Sequence, residues 1–325
     1  PICARAMFHA DNTYYLPNVK ITSYRCKTHT VSNTAFRGFG GPQGMVGIER
    51  VVDEIAHYLG KDPIEVRRVN FYDPKGGVKD RAVTPYDMTV EDCVIDEIVS
   101  ELGRTAEYDK RRAEIREWNH TSQTLKRGIA LTPVKFGISF TLTFLNQAGA
   151  LVHIYNDGSI HLNHGGTEMG QGLFTKVAQV AARSFQVDID RIKITATHTG
   201  KVPNTSATAA SSGSDLNGMA TADACTKIKK RLQNFAAERW QTSPDEVKFY
   251  PGRVQVGCDT ISFDELICEA YQARVPLSAT GFYATPKINW NKAQAKGRPF
   301  FYFAYGAAVT EVAIDTLTGE NRMLR

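Results

Sequence analysis

"AGALVHIYNDGSIHLNHGGTEMGQGLFTKVAQVAARSFQV" (residues 148–187) changes its periodicity twice. Its first part, on either side of position 157, is rich in Val, Ile and Leu and predicts two strands. Asn156, Asp157, Gly158 and Ser159 between them spell a hairpin turn. A glycine-rich loop follows at 165–172, and from there the apolar residues recur at helical spacing. Strand, loop and helix in that order present unpaired main-chain N–H groups at a helix start.

The same alternation runs outward. Residues 127–145, 190–199 and 252–257 read as strands, 214–238 as a helix, and 259–272 as a strand leading into a helix. The first third is more helical. Residues 18–28 alternate like a strand, Pro42 opens a helix that Gly60 closes, and Pro63 starts a second short one. Thr89 with Asp92 suggests a capping box ahead of a third helix. The fold class is α+β, with mixed sheets and helices. The length of 325 residues suggests two domains. We expect residues 1–75 to complete a first domain, 76–88 to act as a Gly/Pro-containing linker, and 89–325 to form a second domain lacking its end.

Composition excludes several classes. Hydrophobic residues make up 42% and charged residues 22%, with a formal net charge of +5. The basic runs "KIKKR" and "DKRR" suit solvated helix faces, so no nucleic-acid role is indicated. No stretch approaches the roughly 18 apolar residues of a membrane span. Six widely spaced cysteines form no CxxC pair, which argues against iron–sulfur or structural zinc sites and for reduced thiols in the cytoplasm. The chain starts without methionine and stops just after a turn, so a fragment of a longer polypeptide is the expectation.

Four loops combine small residues with exposed main chain: 32–44 ("SNTAFRGFGGPQG"), 135–141 ("KFGISFT"), 165–172 and 208–215 ("TAASSGSD"). Three of them precede helices, where N–H groups and the helix dipole attract anions. None is a P-loop or a GxGxxG fingerprint, and each on its own is equally a structural turn. His153, His161 and His164 lie on predicted strands, 161 and 164 on opposite faces, which suits ordinary polar residues better than metal ligands. Phe39 and Phe140 sit between glycines and polar residues. Either they pack in the core, or their rings grip a planar heterocycle whose edge meets Thr141.

The segments at 32–43, 135–159, 164–176 and 202–215, taken together and in this order, resemble consecutive signatures of the molybdenum-binding part of the xanthine dehydrogenases. The resemblance spans essentially the whole chain. It implies a molybdenum ion held by a pyranopterin, gripped by main chain and small side chains, with no protein side chain as direct metal ligand. By that resemblance Gly170 and Gln171 contact the pterin or its phosphate, and Ala209, Ala210, Ser211 and Ser214 line the pterin. The main chain at Phe36, Arg37 and Gly38, together with Ala210, forms the metal's surroundings. Phe39 and Phe140 would sandwich a purine, Thr141 would hydrogen-bond its edge, and Leu145 would wall the channel. The implied reaction is hydroxylation of an electron-poor ring carbon, hypoxanthine or xanthine going on to urate. Electrons would leave through iron–sulfur clusters and FAD to NAD, in other chains or segments.

The resemblance also shows what this stretch lacks. The family's general-base glutamate, in a "GEPP"-type segment, is expected downstream of Arg325. The "GQEH"-like loop and the purine-holding glutamate and arginine belong upstream. The implied partners are the remaining segments of a large subunit and an iron–sulfur/FAD small subunit, assembled as a dimer of heterodimers. The fragment alone should be inactive. An aldehyde oxidase-type hydroxylase and a non-catalytic homologue stay open as alternatives.

Overall fold

A computed structural model describes residues 2–32, 36–76, 79–201 and 204–325; positions 1, 33–35, 77–78 and 202–203, including parts of the motifs at 32–43 and 202–215 and of the expected linker, lie outside the described residues. The elements in chain order are α1 (Ile2–Phe8), α2 (Gly41–Leu59), α3 (Pro63–Val69), α4 (Ile95–Thr105), α5 (Tyr108–Thr121), β1 (Leu125–Ile138), β2 (Gln147–Ile154), β3 (Ile160–His164), α6 (Leu173–Phe185), β4 (Ile192–Ile194), α7 (Gly213–Arg239), β5 (Val247–Tyr250), β6 (Arg253–Val256), β7 (Asp259–Ser262), α8 (Phe263–Gln272), β8 (Ser278–Ala284), β9 (Tyr302–Asp315) and β10 (Asn321–Met323). The α+β class with mixed sheets is as expected. The chain packs as two compact units, Pro1–Ile138 with Asn289–Arg325, and Ser139–Ile288.

In the first unit, β9 pairs with β1 along all 14 residues, from Leu125↔Asp315 to Ile138↔Tyr302, and β10 adds a short third strand. Buried residues of α2, α3, α4 and α5 share one apolar cluster with Ile129, Leu131, Phe300 and Phe303. Helix α2 begins and ends where Pro42 and Gly60 predict, Gly60 taking a left-handed φ of 65°. Asp62 caps α3 by accepting from the Ile64 N–H at 3.0 Å.

Two expectations fail here. Residues 18–28 alternate but form no strand among the described residues, and most are exposed, so there is no partner and no face to bury. Thr89 does not start a helix. It bridges Val83, and α4 begins only at Ile95, behind Val94, which offers no side-chain cap. In the stretch expected as a linker, Lys79–Ala82 form a 3₁₀ turn, and Tyr86 and Met88 are buried.

The second unit is built on a four-stranded mixed sheet ordered β4–β3–β2–β8. The hairpin between β2 and β3 turns at Asn156 to Ser159, where Gly158 takes φ 80° and the Tyr155 N–H donates to the Ser159 carbonyl at 2.9 Å. Helix α7 lies along β2 and β8. Its buried residues include Leu216, Ala220, Ala224, Ile228, Leu232 and Ala236. The approach is so close that a Cβ on Gly281 of β8 would stand 1.9 Å from the Ala220 carbonyl oxygen. A separate antiparallel meander, β5–β6–β7, leads into α8, which Ser262 and Glu265 cap reciprocally. Among the described residues no helix is long and apolar enough to cross a membrane.

Candidate cofactor site

In the second unit the sheet topology gathers residues 139–141 of one small-residue loop with two others, 165–172 and 208–215; Lys135–Ile138 are the end of β1 in the first unit. Strand β2 starts, and β3 and β4 finish, at the same end of the sheet, because β2 and β3 are antiparallel while β3 and β4 are parallel. The turn before β2, the loop after β3 and the loop after β4 therefore emerge together. Hydrogen bonds join them. The Ser206 N–H donates to the Gln147 carbonyl at 3.3 Å, and the Thr167 N–H to Thr208 Oγ1 at 2.8 Å. A Cβ on Gly165 would collide with the Thr205 methyl at 1.9 Å.

The Phe140 turn is stapled from inside. Buried Asn146 accepts the Phe140 N–H at 2.8 Å and donates to the Phe140 carbonyl at 2.9 Å. Phe140, Thr141 and Leu145 are half-buried around this staple, while Leu142 and Phe144 are exposed. Asn146 is a residue that sequence reasoning missed; an Asn between two apolar stretches was the available signal.

Loop 165–172 rests on His164. The Gly166 N–H donates to His164 Nδ1 at 3.1 Å, so the neutral ring carries its proton on Nε2, which is buried without a partner among the described residues. His164 is only 1% exposed, and burial pushes its pKa down to about 4. A histidine that resists protonation when folded but titrates normally when unfolded costs stability as pH falls. The loss should begin below the ordinary value near 6.5, grow to about 3 kcal/mol by pH 4, and level off below that. Urea unfolding across this range should show the loss in the wild type and a flatter profile in His164→Gln.

Beyond the histidine, Gly170 (φ 91°) and Gly172 (φ 72°) adopt backbone that side chains disfavour, and a Cβ on either would meet no described atom within 4 Å. Gln171 turns its side chain back on the loop, accepting from the Met169 N–H at 2.6 Å and donating to the Thr167 carbonyl at 2.9 Å. The third loop holds strained backbone. Ala210 (φ 56°) and Ser211 (φ 59°) are consecutive non-glycine residues in the left-handed region, immediately before α7. Ala209, Ser211 and Ser214 are exposed and Ala210 is half-buried. The 27-residue helix they precede has no side-chain cap from its N-cap residue Ser212.

The fourth loop lies in the first unit. Gly38, Phe39 and Gly40 have φ values of 90°, 55° and 112°. Much of its glycine content is explained by the chain's own packing. A Cβ on Gly40 or Gly44 would hit the α1 carbonyls of Ile2 or Ala6 at 2.1 and 2.2 Å, and one on Gly41 would hit Phe136 at 2.6 Å. Phe36, Arg37 and Phe39 remain exposed, Phe36 at 74%.

A fit to a large, anionic, polar-edged cofactor can be judged from the second unit's loops. They offer small side chains, strained main chain and a helix start whose N-cap residue, Ser212, gives no side-chain cap, features that suit a main-chain grip. No group of three or more metal-ligating side chains occurs among the described residues.

Comparison with known proteins agrees. Models of the molybdopterin cofactor-binding domain match residues 1–71 and 101–325. The chain is 44% identical over 324 residues to the xanthine dehydrogenase/oxidase of Mus musculus, covering 100% of this chain and 22% of that protein. It is 44% identical over 320 residues to the xanthine dehydrogenase of Oryza sativa subsp. japonica, covering 98% and 22%. The chain thus spans about a fifth of the length of these relatives. Among solved structures, the aldehyde oxidoreductase from Desulfovibrio gigas superposes with a TM-score of 0.74 at 23% identity, over 99% of this chain and 32% of that one. A Cu,Mo-CO dehydrogenase gives 0.74 at 21% identity, over 87% and 36%. At those identities the likeness establishes the fold.

Proposed function

Since the chain belongs to the molybdopterin cofactor-binding domain family, we propose that it holds the molybdenum pyranopterin of a xanthine dehydrogenase-type oxidoreductase, hydroxylating hypoxanthine and xanthine to urate. The 44% identity across the whole chain supports this reading. The observation that carries it in the structure is the meeting of three small-residue loops at one end of a sheet, with Ala210 and Ser211 held in strained backbone just before α7. The bound cofactor supplies a Lewis acid for water and an acceptor for the electron pair.

The chain's own residues bind and orient. In this reading Gly170, Gln171, Ala209, Ala210, Ser211 and Ser214 line the pterin. The main chain of Phe36, Arg37, Gly38 and Ala210 surrounds the metal. Phe39 and Phe140 hold the flat purine, Thr141 hydrogen-bonds its edge, and Leu145 walls the approach. The staple by Asn146 keeps Phe140 and Thr141 in place, as a positioning scaffold must. Residues 1–75 would belong to the first cofactor-binding domain and 89–325 to the second, joined through 76–88. The general base, the iron–sulfur clusters and FAD would come from other segments or a second subunit, in a cytoplasmic dimer of heterodimers.

The test is turnover by the full-length protein. Purine-dependent NADH formation is the expected result. Turnover of aldehydes alone would move the protein to an aldehyde oxidase-type reading, and no turnover of either in the cofactor-loaded protein would refute it.

A further inference from the structure

The loop expected to receive an anion at the start of α6 already holds one. Glu168 Oε1 accepts from the Gly170 N–H at 2.9 Å and the Gly172 N–H at 3.0 Å, and Oε2 from the Phe174 N–H at 3.0 Å. The Gly172 and Phe174 amides are groups that the N-terminus of α6 would offer to a phosphate, and Gly170 lies just ahead of it. The bond from Phe174, then those from Gly172 and Gly170, holds the Glu168 carboxyl below the usual carboxylate range.

We infer that Glu168 is a positioning residue, an internal anion that closes the α6 N-terminus to phosphate and sets the Gly170 and Gln171 turn. Three facts on the loop support it. Gly170 and Gly172 both need left-handed backbone, which nothing in their own chemistry favours over other conformations. The carboxylate spans both, joining residues on either side of Gln171. Gln171, meanwhile, spends its side chain on Met169 and Thr167 and cannot hold those same amides. Neither N-cap residue, Gly172 of α6 or Ser212 of α7, caps its helix with its own side chain, so at α6 the task falls to Glu168. As far as the cofactor is concerned, the inference rests on the reading above: an anionic end bound by this unit would have to be received away from α6.

The test is amide hydrogen exchange, read by mass spectrometry on the full-length protein, for wild type, Glu168→Gln and Glu168→Ala, with and without formate or inorganic phosphate. In the wild type the amides of 170, 172 and 174 should be protected, and added anion should change nothing. In Glu168→Ala they should exchange about tenfold or more faster, since three charge-assisted bonds are gone. Formate or phosphate should restore protection saturably, which a merely structural side chain would not allow. Glu168→Gln should fall between, because a neutral amide oxygen accepts more weakly. Unchanged exchange in Glu168→Ala overturns the inference. So does faster exchange that neither anion restores in Glu168→Ala or Glu168→Gln. Molybdenum content, measured on the same samples, should fall in Glu168→Ala. A wild type without molybdenum would refute the cofactor reading while the exchange data still decide the role of Glu168.

Discussion

Asp11→Ala should destabilise the first unit by about 3–5 kcal/mol, the cost of leaving a buried charge alone. The Asp11 and Lys135 side chains are each 1% exposed and lie 3.2 Å apart. Lys135 also sits 4.2 Å from the Phe303 ring centroid, and the Tyr72 hydroxyl donates to the same Asp11 oxygen at 2.7 Å. Burial raises the Asp11 pKa and lowers that of Lys135, and in each case it outweighs the partner's pull. The pair therefore matters because each member makes the other tolerable. Asp11→Ala alone should be severe, while Asp11→Leu combined with Lys135→Met should recover most of the loss. Equilibrium urea unfolding measures both. A single-variant loss below about 1 kcal/mol would show that Lys135 finds water or another partner.

The second large effect concerns the proposed substrate grip. In the full-length enzyme, Phe140→Ala should lower kcat/KM for xanthine by about a hundredfold, the scale of loss for a misplaced reactant. Molybdenum content should stay at the wild-type level, since the turn is held by Asn146 and not by the ring. Thermal stability should change little, because Phe140 is only half-buried. If kcat/KM stays within about threefold of wild type, the alternative reading of Phe140 as packing is the right one.

The legible parts of the fold were those with local causes. Pro42 and Gly60 bracket α2 because one pre-sets helical φ and the other relieves the left-handed exit. Asn156 to Ser159 turn the hairpin for the same kind of reason. What escaped had tertiary causes. Residues 18–28 alternate, but a strand needs a neighbour and they have none among the described residues. Strand β8 was unreadable from "SATGFYA", where the glycine and alanines weaken strand propensity; Gly281 is there because the α7 backbone leaves no space for a Cβ.

At the candidate site the same division holds. The small-residue loops at 165–172 and 208–215 were visible as loops, and the structure brings them together with the turn at 139–146 at one end of the second unit; Lys135–Ile138, read as both strand and loop, are the end of β1. The parts played by Glu168, Asn146 and Thr208 were not visible, since each depends on which main-chain amides a fold points at a side chain. In the fourth loop the glycines at 40, 41 and 44 make room for α1 and Phe136.

The most direct measurement is molybdenum and pterin content of the full-length protein, purified from a host that makes the cofactor, by elemental analysis and by fluorescence of the oxidised pterin. Close to one of each per polypeptide is the expected result. A matured, folded protein with neither would contradict it and leave a cofactor-binding fold that binds no cofactor.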